Sequence, residues 1–339
     1  MVMEDRGKKI LTVSIAAYNV EDCLAETLEP LIIDEEYGLE VLIINDGSTD
    51  ETLALAKQYE KRYPNIFRVI NKENGGYGST INCGIEEASG KYFKQLDGDD
   101  SFITKNLKTL CRQLKKNDTD VVCTPYIERN VISGKETFQN TDFFERFDNR
   151  TLRLKEIDEK YSTVMRMHTL TYKTNLLKNN DIRIDENCFY TDVEYVLFPC
   201  LFAKTLKVLN LPIYLYSTGN DGQSMSKIGM LKHCDDHTKM SEHVMEKLSS
   251  MGENVAPLLK RYVVNVSLHD IIQFKVDIFP FGWCSYKKIK KCLMNIKRKY
   301  DKIYFDMLCI SNGVKAIDRF GFLGYFFVKI FRGLKGKSF

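Results

Sequence analysis

No run of about 20 apolar residues occurs in this chain, so nothing in it reads as a helix built to cross a bilayer. The charged segment Met1 to Lys9 leads straight into the strand-like Ile10 to Ala16. The apolar core of a secretory leader is therefore missing, and a cytoplasmic protein is expected. With 20 glycines and 7 prolines in 339 residues, the chain is too poor in both to be collagen-like or of low complexity. Ten cysteines are scattered singly, without a CxxC pair. That excludes a zinc ribbon and a disulfide framework, and leaves free thiols in a reducing compartment as the plain reading. No internal repeat is found.

What is present is an ordinary globular balance, 44% apolar and 28% charged. The length suffices for one large domain with an accessory region or for two smaller domains, and large-scale disorder is not expected. The formal charge of +3 conceals an asymmetry. Residues 285 to 339 hold 14 Lys or Arg against 3 Asp, whereas residues 1 to 284 hold 35 basic against 43 acidic side chains. Body and tail are electrostatically different objects.

From Ile10 to Thr124 short β-branched runs alternate with amphipathic stretches, the pattern of an α/β fold with a mostly parallel sheet flanked by helices. Strands are expected at Leu11 to Ala16, Glu40 to Ile44, Phe67 to Asn71, Tyr92 to Leu96 and Asp120 to Thr124. Helices are expected between them, at about Glu21 to Ile33, Thr52 to Arg62, Ser79 to Ala88 and Lys105 to Lys115. Such sheets bind ligands outside the carboxyl ends of their strands. Residues 126–226 read as a second, ordered half of this domain, with an irregular or hairpin-like start. Residues 227–339 read as a mainly helical C-terminal region with breaks at Gly252 and Pro280-Phe281-Gly282.

Three loops at strand ends carry chemistry. Asp97-Gly98-Asp99-Asp100 follows a buried strand. Carboxylates this close repel one another, so a cation, solvent or a capping duty on the helix near Thr104 has to compensate them. Hard Mg²⁺ or Mn²⁺, shared with phosphate oxygens, suits the first alternative. Asn45-Asp46-Gly47-Ser48-Thr49-Asp50 places Asp46 where it can meet a base or ribose, although a tight strand-to-helix turn selects the same residues. Asn74-Gly75-Gly76-Tyr77-Gly78 offers backbone near a helix N-terminus, suited to a phosphate, or simply a flexible connector.

Taken with Val13-Ser14-Ile15-Ala16-Ala17-Tyr18-Asn19 and Ala88-Ser89-Gly90-Lys91-Tyr92, these motifs resemble in order and spacing the family 2 glycosyltransferases of GT-A fold. The resemblance spans roughly the first 125 residues and implies a nucleotide-sugar site, with a UDP-sugar as donor. By matching position, Tyr18 and Asp46 hold the base, Asp97 lies by the ribose and diphosphate, and Asp99 ligates the metal with Asp97 beside it. Ala17, Gly76 and Gly98 complete the donor-binding set. Farther on, Phe189-Tyr190-Thr191-Asp192-Val193-Glu194 resembles the family's segment that supplies the catalytic base. Thr191 takes the place of the usual Glu there, so Asp192 is the implied base and Glu194 a reserve. Tyr214 to Asn220 and Gln223-Ser224 resemble the segment that closes over donor phosphates. Ser217 and Asn220 stand where relatives often have Arg, which leaves Gln223 and Ser224 as the polar contacts.

The expected activity is inverting, metal-dependent transfer of a sugar onto a lipid-linked or protein-linked glycan acceptor in bacterial capsule, exopolysaccharide or cell-surface glycan synthesis. A nucleotidylyltransferase is the alternative enzyme, and an inactive nucleotide-sugar-binding scaffold the alternative without catalysis. In the tail, Phe320, Leu323, Phe327, Ile330, Phe331 and Leu334 project to one arc, with Lys329, Arg332 and Lys335 opposite. An interfacial helix on an anionic membrane surface is expected from that pattern, with a packed terminal helix as the other reading. No nucleic-acid-binding motif is found. His233, His237 and His243 read as solvated helix residues, and Trp283 as core or a surface wedge.

Overall fold

The computed structural model describes residues 9–139, 141–219 and 226–334. They form two compact units. One takes residues up to 157 together with those from 163 to 219, and the other takes 158–162 and 226–334.

The first unit contains every strand described: β1 Leu11–Ala17, β2 Leu39–Asp46, β3 Phe67–Lys72, β4 Tyr92–Asp97, β5 Ser101–Phe102, β6 Val121–Cys123, β7 Tyr126–Asn130, β8 Glu136–Phe138, β9 Thr151–Arg153, β10 Leu170–Lys173, β11 Thr205–Val208 and β12 Tyr214–Thr218. Its helices are α1 Leu24–Leu28, α2 Thr52–Arg62, α3 Tyr77–Glu87, α4 Thr104–Lys116, α5 Thr141–Phe147, α6 Thr174–Asn179 and α7 Asp192–Phe202. Eight strands make one sheet in the order β3-β2-β1-β4-β10-β6-β11-β9, and β5-β12-β7-β8 make a second. Strands β3, β2, β1 and β4 are all parallel, in the register Val13 opposite Val41 and Lys94. Strand β10 then enters antiparallel to both β4 and β6, so the sheet is mixed beyond its parallel core.

Strands β1 and β2 are buried on both faces, Leu11, Val13, Ile15 and Val41 to Ile44 being fully covered. That is why they carry unbroken apolar runs rather than an alternation. Each such side chain contributes about 1.5–3 kcal/mol by leaving water. The chain reverses its direction of travel across the sheet between β1 and β4, and the rim above that point is where open α/β sheets take ligands. Helix α1 is shorter than its amphipathic pattern suggests. Pro30 has no N–H to continue the ladder, so the turn after Leu28 tightens to a 3₁₀ segment, Glu29–Leu31.

The second unit is helical: α8 Lys227–Lys232, α9 Cys234–Ser250, α10 Pro257–Ile271, a π-helical turn Ile272–Asp277, α11 Trp283–Lys299, α12 Asp301–Ile310 and α13 Asn312–Leu334. His237 is a correction to the sequence reading. It is 4% exposed, stacked on Phe274 and hydrogen-bonded to Asp270, which Lys275 also holds at 2.6 Å. Helix α13 is a second correction, because Gly321, at φ 61°, breaks it into two arms. Lys329 does not face solvent; it donates to the carbonyls of Val276, Asp277 and Phe279 at 2.6, 3.1 and 2.7 Å. Arg332 pairs with the Asp277 carboxylate. The carboxyl end of the π-helical turn offers orphan carbonyls, and those cations satisfy them. The apolar arc of α13 is consequently turned outward. Lys335 lies outside the described residues.

Candidate active site

Four strand ends supply the rim. Ala17, at the end of β1, is fully buried opposite Asn45, so only its backbone reaches the rim. Tyr18 follows at 51% exposure, its ring open to a planar ligand. Asn19 holds a left-handed conformation, φ 52°, and its Oδ1 accepts from Thr49 N–H at 2.8 Å. This ties the loop after β1 to the loop after β2.

Asp46, at the end of β2, is 2% exposed. Its carboxylate accepts from Lys72 Nζ at 2.7 Å and from the N–H groups of Gly75 and Gly76 at 3.0 and 2.9 Å. The Asn-Gly-Gly loop thus folds around this carboxylate, and Gly76 takes φ 79° to do so. Lys72, which sequence reasoning did not single out, neutralises Asp46 from β3.

The third element is the acidic turn after β4. A Cβ on Gly98 would lie 2.7 Å from the Ala16 carbonyl oxygen, so only glycine lets the turn close against β1. Asp97 Oδ1 accepts from Tyr77 O–H at 2.6 Å. Burial, and then the charges of Asp99 and Asp192, push the Asp97 carboxyl up to about 7 against the lowering effect of Tyr77. Asp100 is 2% exposed and accepts from Tyr214 O–H and Ser217 N–H, both at 2.7 Å. It fastens the turn to β12, and its carboxyl stands well above the usual carboxylate range because it is buried. Asp99 differs from both, being exposed, with no ion pair among the described residues.

Opposite stands Asp192, the first residue of α7. The segment leading to it is wound tightly, with positive φ at Asp181, Asn187 and Tyr190, conformations that persist only where surroundings enforce them. Helix α3 enforces them here. Asn82 Nδ2 donates to Ile184 O at 2.9 Å, Asn82 Oδ1 accepts from Ile184 N–H at 2.9 Å, and Asn187 N–H donates to Gly75 O at 2.7 Å. The Asp185 carbonyl oxygen would be 1.9 Å from a Cβ on Gly78. Gly78→Ala is therefore expected to lower stability by about 1–3 kcal/mol, read by thermal melting, and to loosen the segment carrying Asp192. A melting temperature equal to wild type would refute this account of the segment.

Burial pushes the Asp192 carboxyl up to about 6, with Arg166 opposing. Arg166 is exposed, without an ion pair among the described residues. Thr191 is fully buried and its hydroxyl has no partner among the described residues. Glu194 is fully buried and accepts from Asp185 N–H at 2.8 Å, tying α7 to the segment that leads into it.

His168 completes the picture and was missed in the sequence. Its ring packs among Tyr126, Tyr214 and Tyr216, 5.0, 4.7 and 4.5 Å between centroids. Burial holds its pKa down to about 3, so it is neutral. Ligand atoms of Asp97, Asp100 and His168 lie within 4.8 Å of one another. Asp100 is engaged by Tyr214 and Ser217, so Asp97 and the exposed Asp99 are the carboxylates left with capacity for a cation. Their hard oxygen donors fit Mg²⁺ or Mn²⁺. Tyr77 and Tyr214 lie in segments the sequence singles out, but their contacts with the acidic turn, which span 20 and 114 residues of sequence, were not legible there. Gln223 and Ser224 lie outside the described residues.

A parallel α/β core with an acidic turn after its fourth strand, a mixed extension and a second small sheet is the GT-A arrangement. The crystal structure of S. aureus TarS 1-349 in complex with UDP superposes with a TM-score of 0.67 at 17% identity, covering 97% of this chain and 93% of that one. Residues 12–174 match the family described as glycosyl transferase family 2. Among characterised relatives, the minor teichoic acid biosynthesis protein GgaB of Bacillus subtilis is 27% identical over 77% of this chain. The cholesterol galactosyltransferase of Borreliella burgdorferi is 27% identical over 83% of this chain and 79% of its own length. The chain spans only 28% of GgaB.

Proposed function

We propose that this protein is an inverting glycosyltransferase that moves a sugar from a nucleotide diphosphate donor, a UDP-sugar, to a glycan acceptor in bacterial surface-glycan synthesis. The observation carrying the proposal is that exposed Tyr18, exposed Asp99 and Asp97, all within the residues that match family 2, share a rim with Asp192, whose charge reaches Asp97. Support for the donor comes from TarS, whose structures were solved with UDP and with UDP-GlcNAc. Support for the acceptor class comes from relatives named for teichoic acid synthesis and for glycosylating cholesterol or poly(ribitol-phosphate). An acceptor presented at a membrane surface suits the basic C-terminal region.

In this reading Tyr18 stacks on the base, and Asp46 with its Lys72 and Gly76 partners shapes the floor beneath it. Asp97 and Asp99 would hold Mg²⁺ or Mn²⁺, which when bound offsets the charge developing on the departing diphosphate. Asp192, as a carboxylate, takes the proton from the acceptor hydroxyl while that oxygen attacks the anomeric carbon from the face opposite the leaving group. Tyr77 fixes the Asp97 carboxylate, and the Tyr214–Asp100 bond fixes the turn. Arg166 is an exposed cation whose charge favours the ionised form of Asp192.

A melting screen of UDP, GDP and CMP, each with and without Mn²⁺, tests the proposal. A ligand at 100 times its Kd stabilises by about 2.7 kcal/mol. A rise with UDP that Mn²⁺ enlarges is expected; no response to any nucleotide would overturn the reading.

A further inference from the structure

We propose that the outward face of α13, with Phe281 and Trp283 beside it, docks the protein on an anionic lipid surface. Beyond Gly321 the side chains Leu323, Phe327, Ile330 and Leu334 follow a four, three, four spacing, which puts them on one helical face. They are 56%, 59%, 44% and 80% exposed, whereas only Gly324 and Tyr325 of that arm are buried. The face does not end at the helix. Phe327 meets Phe326, Phe326 meets Phe281, and Phe322 meets Trp283, at 5.5, 5.6 and 5.0 Å between ring centroids. Phe281 and Trp283 are themselves half exposed. Together these side chains leave on the order of 700 Å² of apolar surface, beyond what a monomer usually shows water.

A groove of about 500 Å³ runs along the same arm, lined by Phe327, Val328, Ile330, Leu334, Ile272 and Gly313 among others. Its walls are apolar, as an inserted hydrocarbon chain requires.

Charge decides the occupant. Residues 226–334 hold 19 Lys or Arg against 10 Asp or Glu. Lys287, Lys288, Lys290 and Lys291 are exposed on α11, with Lys287 Nζ 5.9 Å from the Trp283 ring centroid. A second copy of this chain would bring the same cations against them. Anionic headgroups complement them, at about 1 kcal/mol for each basic side chain near the surface. Aromatic side chains among lysines suit the depth where headgroups meet acyl chains. The arrangement differs from a charge tether, because Lys329 and Arg332 are engaged within the fold and the helix presents hydrocarbon.

Trp283 is the only tryptophan, which makes the wild-type chain its own probe. With vesicles of phosphatidylglycerol and phosphatidylcholine in equal parts, the emission of Trp283 should shift to the blue and the protein should co-sediment. Phosphatidylcholine alone should bind at least tenfold less. The double variant Leu323→Asp with Phe327→Asp should lose co-sedimentation tenfold or more while retaining its melting temperature and its UDP response, so failure here is distinguishable from failure of the catalytic proposal. No emission shift and no sedimentation of wild type would overturn the inference. So would undiminished sedimentation of the double variant, or a wild-type oligomer that the double variant dissolves without either form binding vesicles.

Discussion

Asp192→Asn is expected to reduce turnover by about 10²–10⁴-fold, the range general-base catalysis supplies, and to leave the protein no less stable at pH 8. The two halves of that statement come from one fact. Burial raises the Asp192 carboxyl to about 6, so the folded protein binds this proton more tightly than the unfolded chain does. Stability from the group is fully present below the unfolded value, near 3.8, and is lost as pH rises through 6, where the buried group must ionise. At pH 8 wild type bears that cost, and the uncharged Asn does not. Catalysis runs the other way, because only the carboxylate accepts the acceptor's proton. Wild-type kcat/KM should therefore climb from the acid side through pH 6 and level off above 7, and the residual rate of the Asn variant should lack that limb. Full activity in Asp192→Asn would remove Asp192 as the base. Lost activity together with a lowered melting temperature at pH 8 would make it a structural residue.

The parallel core was legible because its central strands β1 and β2 are covered on both faces, which writes continuous apolar runs into the sequence. The rim was legible because polar loops follow the ends of these strands, with glycines after β2, β3 and β4. What escaped the sequence was contact over distance. Nothing local to Asp46 announces Lys72 and the Gly75 and Gly76 amides as its partners, and nothing near Asp97 announces Tyr77. His168 looks like any strand-preceding residue until three tyrosines from two sheet strands enclose it. In the tail the geometry was the part not legible. A helical projection assumes a straight helix in water, whereas α13 bends at Gly321 and its cations answer the carbonyls that end a π-helical turn. The apolar arc was right in composition, yet the direction it faces is set by that tertiary demand.

The acidic turn contains a built-in control for the metal proposal, because its last two carboxylates, Asp99 and Asp100, have opposite surroundings. Asp99 is exposed and makes no ion pair among the described residues, so Asp99→Ala should leave the melting temperature of the ligand-free protein unchanged. It should weaken binding of Mn²⁺ in the presence of UDP at least tenfold by calorimetry, and lower Mn²⁺-dependent turnover by at least 10²-fold. Asp100 is buried and holds Tyr214 and the Ser217 amide. Removing its carboxyl in Asp100→Ala strands a buried hydroxyl and a buried amide, and should destabilise by about 1–3 kcal/mol. A simple acidic helix cap would invert the first result, since Asp99→Ala would then melt lower and bind Mn²⁺ with UDP as wild type does. The same pair of measurements separates a cation held by the turn from a cation carried in by the diphosphate alone, because only the former depends on Asp99 for affinity. Unchanged Mn²⁺ affinity in Asp99→Ala would thus withdraw Asp99 from the metal site, whatever happened to turnover.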